Sequence, residues 1–273
     1  MEVNIPIEGI KKMEQVEQWA LILGGSSGLG LATAKKLAFE GFNIFVVHRD
    51  RKIDFQKIEK DFKEITLSGK QLVSFSVDAL NPDRRKGVIE EIYREIGPFG
   101  RIKILVHSIA KGNLKPMADL DGSSLQNQDF HLTLDAMAIS LYDWTKALVS
   151  ADLFDGDARI VSFSSEGNSR AWENYAAVSA AKAALEAITR NIALEFAPMG
   201  IKANCIQAGI TDTASFKMIP GSDVLRENAL KRNPNGRLTR PEDVANVVYL
   251  LSRPEAAWIT GTVIKVDGGE SLR

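Results

Sequence analysis

Residues 19–32 read WALILGGSSGLGLA, and the fold is decided there. Residues 20–23 are a short apolar run, long enough for a buried strand. Gly24, Gly28 and Gly30 follow at G-x-x-x-G-x-G spacing, and residues 31–37 then carry a helical pattern. A strand, a glycine turn and a helix start together suit a pyrophosphate. Glycines let the backbone approach the phosphates, and the free N–H groups of a helix N-terminus face the anion. The spacing differs by one residue from the G-x-G-x-x-G fingerprint, and a plain tight turn would use such glycines too.

Outward from this stretch, apolar runs at residues 43–48, 72–77, 102–107, 159–163, 203–207 and 262–266 alternate with amphipathic ones. The latter cover residues 55–67, 84–96, 132–153, 175–196 and 241–251. The alternation predicts right-handed β-α-β units and a parallel sheet covered on both faces. Two connections, 111–130 and 211–240, exceed the usual length. Both follow strands, so both are expected at the carboxyl edge of the sheet, where ligands bind.

The 273 residues suit one large α/β domain over 19–273, preceded by an arm over 1–18. In the arm Ile7, Ile10, Met13 and Val16 recur in a helical rhythm, but there is no uninterrupted apolar core of a signal peptide. No window is apolar for the length a membrane span requires. Hydrophobic content of 45% and charged content of 25% fit a soluble globular protein with a sizeable core. A formal net charge of -1 argues against nucleic acid or a membrane surface as the main partner. Cys205 is the sole cysteine, so a reducing, cytoplasmic compartment and an inert buried thiol are expected. The pattern calls for no metal.

After the second strand comes His48-Arg49-Asp50-Arg51. In dinucleotide sites an acid at this strand end binds the adenosine ribose hydroxyls. Here His48 holds that place and Arg49 follows, and a guanidinium pairs with a 2′-phosphate that a carboxylate would repel. NADP(H) is therefore expected over NAD(H), although a rotated loop would let Asp50 serve as the acid. Asp78-Ala79 ends the third strand. Its carboxylate suits the adenine amino group, or a cap for a helix starting near Asn81. Ser108, Ile109 and Ala110 after the fourth strand leave room for the cofactor ribose, and His107 reads as hydrogen-bonded scaffold.

Together these pieces resemble a short-chain dehydrogenase/reductase over residues 19–272. The resemblance is carried by LGGSSGLG at 23–30, Asp78-Ala79, Ser164-Ser165, a Tyr/Lys helix, AGITDT at 208–213 and ITGTVIKVDGG at 259–269, in the family's order. It implies an α/β fold of Rossmann type, a doubly wound parallel sheet of about seven strands in a single domain. Residues 174–182 read NYAAVSAAK. Most of the family keeps three residues between Tyr and Lys; Tyr175 and Lys182 have six, and Ser179 stands at the usual lysine place. Seven positions return to nearly the same helix face, about 10 Å further along the axis. This spacing is similar to that of the enoyl-acyl-carrier-protein reductase branch. So are LVHSIA at 105–110 and residues 138–142, where Ser140 replaces the asparagine that most relatives use in a proton relay.

The resemblance implies NADPH-dependent reduction of the 2,3 double bond of an enoyl thioester, carried by coenzyme A or acyl carrier protein, in fatty-acid or related synthesis. It also implies a homo-oligomer, dimer or tetramer. It places the pyrophosphate among Gly24, Ser26, Ser27, Gly28 and Leu29, Lys182 on the nicotinamide ribose, and Ile210, Thr211 and Thr213 on the carboxamide. Lys182 is expected to favour the phenolate of Tyr175. Tyr175 is expected to stabilise the enolate as hydride arrives. Ser165 aligns with the catalytic serine of ordinary family members, where the best-known enoyl reductases carry another tyrosine. It either contributes a hydrogen bond or merely ends the strand. Leu23 departs from the family's usual threonine, and RAWENY at 170–175 resembles a divergent enoyl-reductase type. Residues 215–230, with Phe216, Met218, Ile219 and Leu225, are expected as a helical lid over an acyl chain or as ordinary packing. Two other readings stand beside the first: a carbonyl or alcohol oxidoreductase, and a non-catalytic nucleotide-binding regulatory protein. Retention of Tyr175, Lys182 and the glycine loop speaks against the last.

Overall fold

The computed structural model describes residues 17–118 and 122–273. The arm expected over 1–18 lies outside the described residues but for its end, and Gln18 already belongs to the first strand. The strands are β1 (Gln18–Leu23), β2 (Asn43–His48), β3 (Leu72–Ser76), β4 (Arg101–His107), β5 (Phe154–Ser165), β6 (Lys202–Ala208) and β7 (Val263–Val266). They form one parallel seven-stranded sheet in the order β3-β2-β1-β4-β5-β6-β7. The helices are α1 (Gly28–Phe39), α2 (Phe55–Thr66), α3 (Pro82–Ile96), α4 (Asn127–Leu134), α5 (Ser140–Ser150), α6 (Ala176–Glu195), α7 (Ala214–Lys217), α8 (Ser222–Arg232) and α9 (Pro241–Ser252).

Successive residues of a strand point to opposite faces, so a strand covered on both sides must be apolar throughout. β1 meets that demand. Leu21 and Leu23 pack with Phe45, Leu105, Trp144 and Leu185 on the face covered by α3, α5 and α6. Ala20 and Ile22 pack with Leu37, Val46, Ile58 and Val248 on the face covered by α1, α2 and α9. The chain runs outward from β1 through β2 to β3, then returns to β4 on the other flank of β1. That reversal opens a crevice at the carboxyl ends of β1 and β4, the place where doubly wound sheets bind ligands.

Three elements differ from the pattern read in the sequence. β5 begins at Phe154, well before the apolar run at 159. Its first residues are polar because they carry an ion cluster at the amino edge: Asp157 accepts from Arg159 at 2.6 Å, Lys202 at 2.7 Å and Lys103 at 2.9 Å. The long helix expected over 132–153 is interrupted by one wide π turn, Asp135–Ile139. Its extra residue brings Ser140 Oγ within 2.7 Å of His107 Nε2 while Ser140 also donates to the Ala136 carbonyl at 2.9 Å. The lid expected over 215–230 is two helices, α7 and α8. Residues 218–221 break them apart, with Gly221 at φ +76° just ahead of α8.

Candidate active site

A cleft of about 890 Å³ lies along the carboxyl edge, and every site residue singled out in the sequence lines it. At one end sits the glycine turn. Gly24 has φ +82°, and a Cβ there would stand 2.5 Å from the Ser108 carbonyl oxygen. A Cβ on Gly30 would stand 2.2 Å from the Gly24 carbonyl oxygen. Both positions exclude any side chain, so turn, β4 end and α1 can close on one another only through glycine. Ser27 caps α1 with extended backbone but without a side-chain hydrogen bond, leaving the first-turn N–H groups open. Thr213 reaches over the turn, its Cγ2 3.5 Å from where a Gly28 Cβ would be. A cradle of bare backbone and uncapped N–H groups fits a dinucleotide pyrophosphate.

Beyond the turn, Arg49 pairs with Asp78 across the cleft rim. The Asp50 carboxylate is turned onto His48 Nδ1 at 2.7 Å, and Arg49 and Arg51 both line this part of the cleft. Asp78 does not cap the following helix, one of the two roles expected for it. Pro82 opens α3, and Asn81 is its cap, accepting from the Arg84 N–H at 3.0 Å; Asp78 accepts instead from the Leu80 N–H at 3.0 Å. Ala79 is fixed by the buried Trp144, whose indole donates to its carbonyl at 3.0 Å.

At the other end stand Ser165, Tyr175 and Lys182. Tyr175 immediately precedes α6, and Asn174 before it adopts φ +59°, a left-handed conformation that asparagine tolerates. This bend aims the phenol into the cleft. Its ring is boxed in by Trp172, 4.9 Å between centroids, and by Gly167, where a Cβ would stand 2.5 Å from the ring. Tyr175 Oη lies 3.2 Å from Ser165 Oγ, so Ser165 belongs to the site as well as ending β5. Lys182 donates to the Phe163 carbonyl at 2.5 Å. Between the two, one turn before Lys182, the buried Val178 lines the cleft.

The expected phenolate is not what this geometry favours. Burial pushes the Tyr175 pKa up, opposed by the Ser165 hydrogen bond, and no charge from Lys182 offsets it. The phenol is therefore a neutral donor at physiological pH. Lys182 is itself lowered to about 8 by burial, despite the opposing influence of Cys205 and Glu186. His107 is held at about 3 by burial and by the Lys182 charge, so it is a neutral imidazole bonded to Ser140, as scaffold. Cys205 is buried and raised to about 11, an unreactive thiol.

Leu114, Met137, Trp172, Val178, Phe216 and Ile219 give the cleft an apolar wall beside Tyr175. Gly112 admits this wall, since a Cβ there would meet Val178 at 2.6 Å. Leu114 and Met137 escape sequence reasoning because they come from separate segments and match no motif; Trp172 and Val178 lie within the quoted stretches RAWENY and NYAAVSAAK, but nothing in those stretches marks them as cleft wall. The acids Glu166 and Glu270 also line the cleft and likewise follow no spacing rule.

A bare-backbone cradle for pyrophosphate with a phenol and an ammonium at its far end defines a dinucleotide-dependent oxidoreductase. The family model described as Enoyl-(Acyl carrier protein) reductase matches residues 24–271, and the chain belongs to the short-chain dehydrogenase/reductase family. It is 29% identical over 256 residues to a (2S)-[(R)-hydroxy(phenyl)methyl]succinyl-CoA dehydrogenase subunit of Thauera aromatica, covering 93% of this chain and 96% of that one. The crystal structure of an NADH enoyl-[acyl-carrier-protein] reductase from Aquifex aeolicus superposes with a TM-score of 0.81 at 28% identity, covering 94% of this chain and 97% of that one. A Burkholderia cenocepacia short-chain dehydrogenase in complex with NADP superposes with a TM-score of 0.79 at 26% identity, covering 94% and 99%. The chain is thus an NAD(P)H-dependent oxidoreductase. Among the described residues, no helix is long and apolar enough to cross a membrane.

Proposed function

We propose that the protein uses NADPH to reduce the 2,3 double bond of an enoyl thioester. The observation that carries this reading is the order from the cap of α6 into the helix: phenol at Tyr175, isopropyl group at Val178, ammonium at Lys182, all facing one cleft. In ketone reduction the hydride lands on the carbonyl carbon, so the acid must stand beside the atom that receives it. In an enoyl thioester the hydride lands on the β-carbon and negative charge appears on the thioester oxygen, farther along the conjugated chain. A donor set two turns away from the lysine, one turn farther than in most of the family, with an apolar group between, suits the second geometry.

Bound in the cleft, the dihydronicotinamide would supply the hydride. Lys182 would hold its ribose, and Arg49 a 2′-phosphate at the other end. Tyr175, neutral and buried, donates a hydrogen bond to the thioester oxygen and stabilises the enolate there. Ser165 orients that hydroxyl. Trp172, Val178, Phe216 and Ile219 exclude water and receive the acyl chain. The Thauera and Aquifex relatives support a thioester, since both are named for substrates on coenzyme A or acyl carrier protein. The place in fatty-acid or related acyl synthesis and a homo-oligomeric assembly belong to the same proposal.

One observation favours carbonyl reduction instead: a serine hydroxyl 3.2 Å from the phenol is a pair able to polarise a ketone. The two readings separate in one assay, oxidation of NADPH and NADH against crotonyl-CoA and acetoacetyl-CoA. Turnover of crotonyl-CoA supports the enoyl reading. Turnover of acetoacetyl-CoA with crotonyl-CoA inert overturns it.

A further inference from the structure

The loop from β6 to α7 carries Ile210, Thr211 and Thr213, the residues expected on the nicotinamide carboxamide, along the cleft. What holds this loop comes from two distant parts of the chain. Glu270, in the last turn before the C-terminus, accepts the Ile210 N–H on Oε2 at 3.0 Å. The Ile210 carbonyl accepts from the Thr239 N–H at 3.1 Å. Both backbone groups just before Thr211 are thus committed to protein partners, not to a ligand. Glu270 is 2% exposed, so its carboxylate cannot be left to water. Its other oxygen accepts from Arg232 Nη2 at 3.0 Å.

Arg232 is the last residue of α8, and its guanidinium is a fork between two carboxylates. Nη1 and Nη2 also donate to Glu166 at 3.1 and 2.8 Å. Glu166 directly follows Ser165, and Arg170 closes on it from outside at 3.2 Å. One cation thereby joins α8, the end of β5 and the C-terminal turn, around two acids that would otherwise repel each other. The carboxylates that meet here lie 66 and 38 residues from Arg232 in sequence, so no local propensity accounts for the arrangement.

We propose that Glu270, with Arg232 as its counter-ion, is a positioning pair that sets the backbone of residues 209–213 against the nicotinamide of the bound dinucleotide. The inference rests on the reading of the cleft as a nicotinamide-dinucleotide site. It goes beyond that reading by coupling α8 to the loop, so the placement of α8 and the cofactor contact are set by one ionic joint. Glu270 acts through the Ile210 amide, and Arg232 through Glu270.

The test is a pair of titrations on the full-length protein. One ligand is the reduced cofactor that the wild type binds, NADPH or NADH. The other is its adenosine fragment, 2′,5′-ADP or 5′-ADP, which lacks the nicotinamide end. Glu270→Leu keeps the volume and removes the acceptor; it should weaken the whole cofactor about tenfold or more and leave the fragment within about twofold. Glu270→Gln keeps an acceptor for Ile210 and should recover cofactor affinity to within about threefold. Arg232→Gln, on the more exposed side of the joint, should weaken the cofactor in the same selective way. Equal weakening of cofactor and fragment would reduce the pair to ordinary packing and overturn the proposal, as would no change in either. A wild type that binds neither ligand would instead overturn the dinucleotide reading itself.

Discussion

Replacing Tyr175 by Phe removes one oxygen from a site whose shape the ring alone maintains. The ring sits between Trp172 and Gly167, and both contacts survive the change. Only the Oη contact to Ser165 at 3.2 Å is lost. A neutral hydrogen bond contributes about 1 kcal/mol net, and the phenol no longer has to be buried, so Tm should move by no more than about 4 °C. Turnover should change far more. Removing one donor to a developing oxyanion costs about 10²–10³ in kcat, roughly 2.7–4 kcal/mol. Tyr175 is 6% exposed, which keeps water from replacing it and favours the upper part of that range. Ser165 is close enough to donate in its place, which favours the lower part. We expect about a 10²-fold fall in kcat with crotonyl-CoA, and cofactor affinity within about threefold. Steady-state NADPH oxidation gives the first number, a fluorescence titration with NADPH the second. Adding Ser165→Ala should lower kcat further by removing the substitute donor. Turnover of Tyr175→Phe within about threefold of the wild type would refute the assignment of the phenol as donor.

Three further outcomes follow from the same geometry. Arg49→Ala should weaken NADPH about 10- to 100-fold, since it removes a charge-assisted bond and frees Asp78 to repel the phosphate, while NADH changes little; equal losses would undo the phosphate assignment. Because burial lowers Lys182 to about 8 and raises Tyr175, turnover should hold from about pH 6 to 7 and fall with a midpoint of about 8 as Lys182 loses its proton; a rate climbing through that range would make the phenolate the active species. Burial alone would raise Asp157, but hydrogen bonds from Arg159, Lys202 and Lys103 outweigh it and hold the carboxyl well below its ordinary range. A carboxyl lowered in the folded state stabilises above its unfolded pKa of about 3.9 and loses that contribution as pH falls toward the folded value. Asp157→Asn should therefore lower Tm at neutral pH, with the gap closing below about pH 4; a gap constant down to pH 2 would contradict the role given to the cluster.

The parts of the site legible in the sequence are those where chemistry admits few residue types. Gly24 and Gly30 are readable because contacts of 2.5 and 2.2 Å exclude every side chain. Tyr175 and Lys182 are readable because a donor and a cation must share a helix face. The strands in the middle of the sheet are readable because cover on both faces demands unbroken apolar runs. Illegible were the features that depend on long-range pairing. The polar start of β5 is a strand because Lys103 and Lys202 on neighbouring strands neutralise Asp157. Glu270 and Arg232 each look like surface charge until the fold brings them together. The state of Tyr175 is likewise illegible: a lysine on the same helix face favours phenolate in principle, but burial raises the phenol here.

The wide turn at Asp135–Ile139 has a consequence for how this chain can vary. Each helical residue advances the direction of the next by about 100°. Dropping one residue along this stretch while the turn keeps its width would swing all of α5 through that angle. Ser140 would leave His107, and Trp144 would turn out of the core and release Ala79. Point changes along this stretch can be absorbed one at a time, but a single-codon insertion or deletion displaces two anchors of the cleft together. In descendants of this gene the number of residues between Asn127 and Ser150 should stay constant while their identities drift.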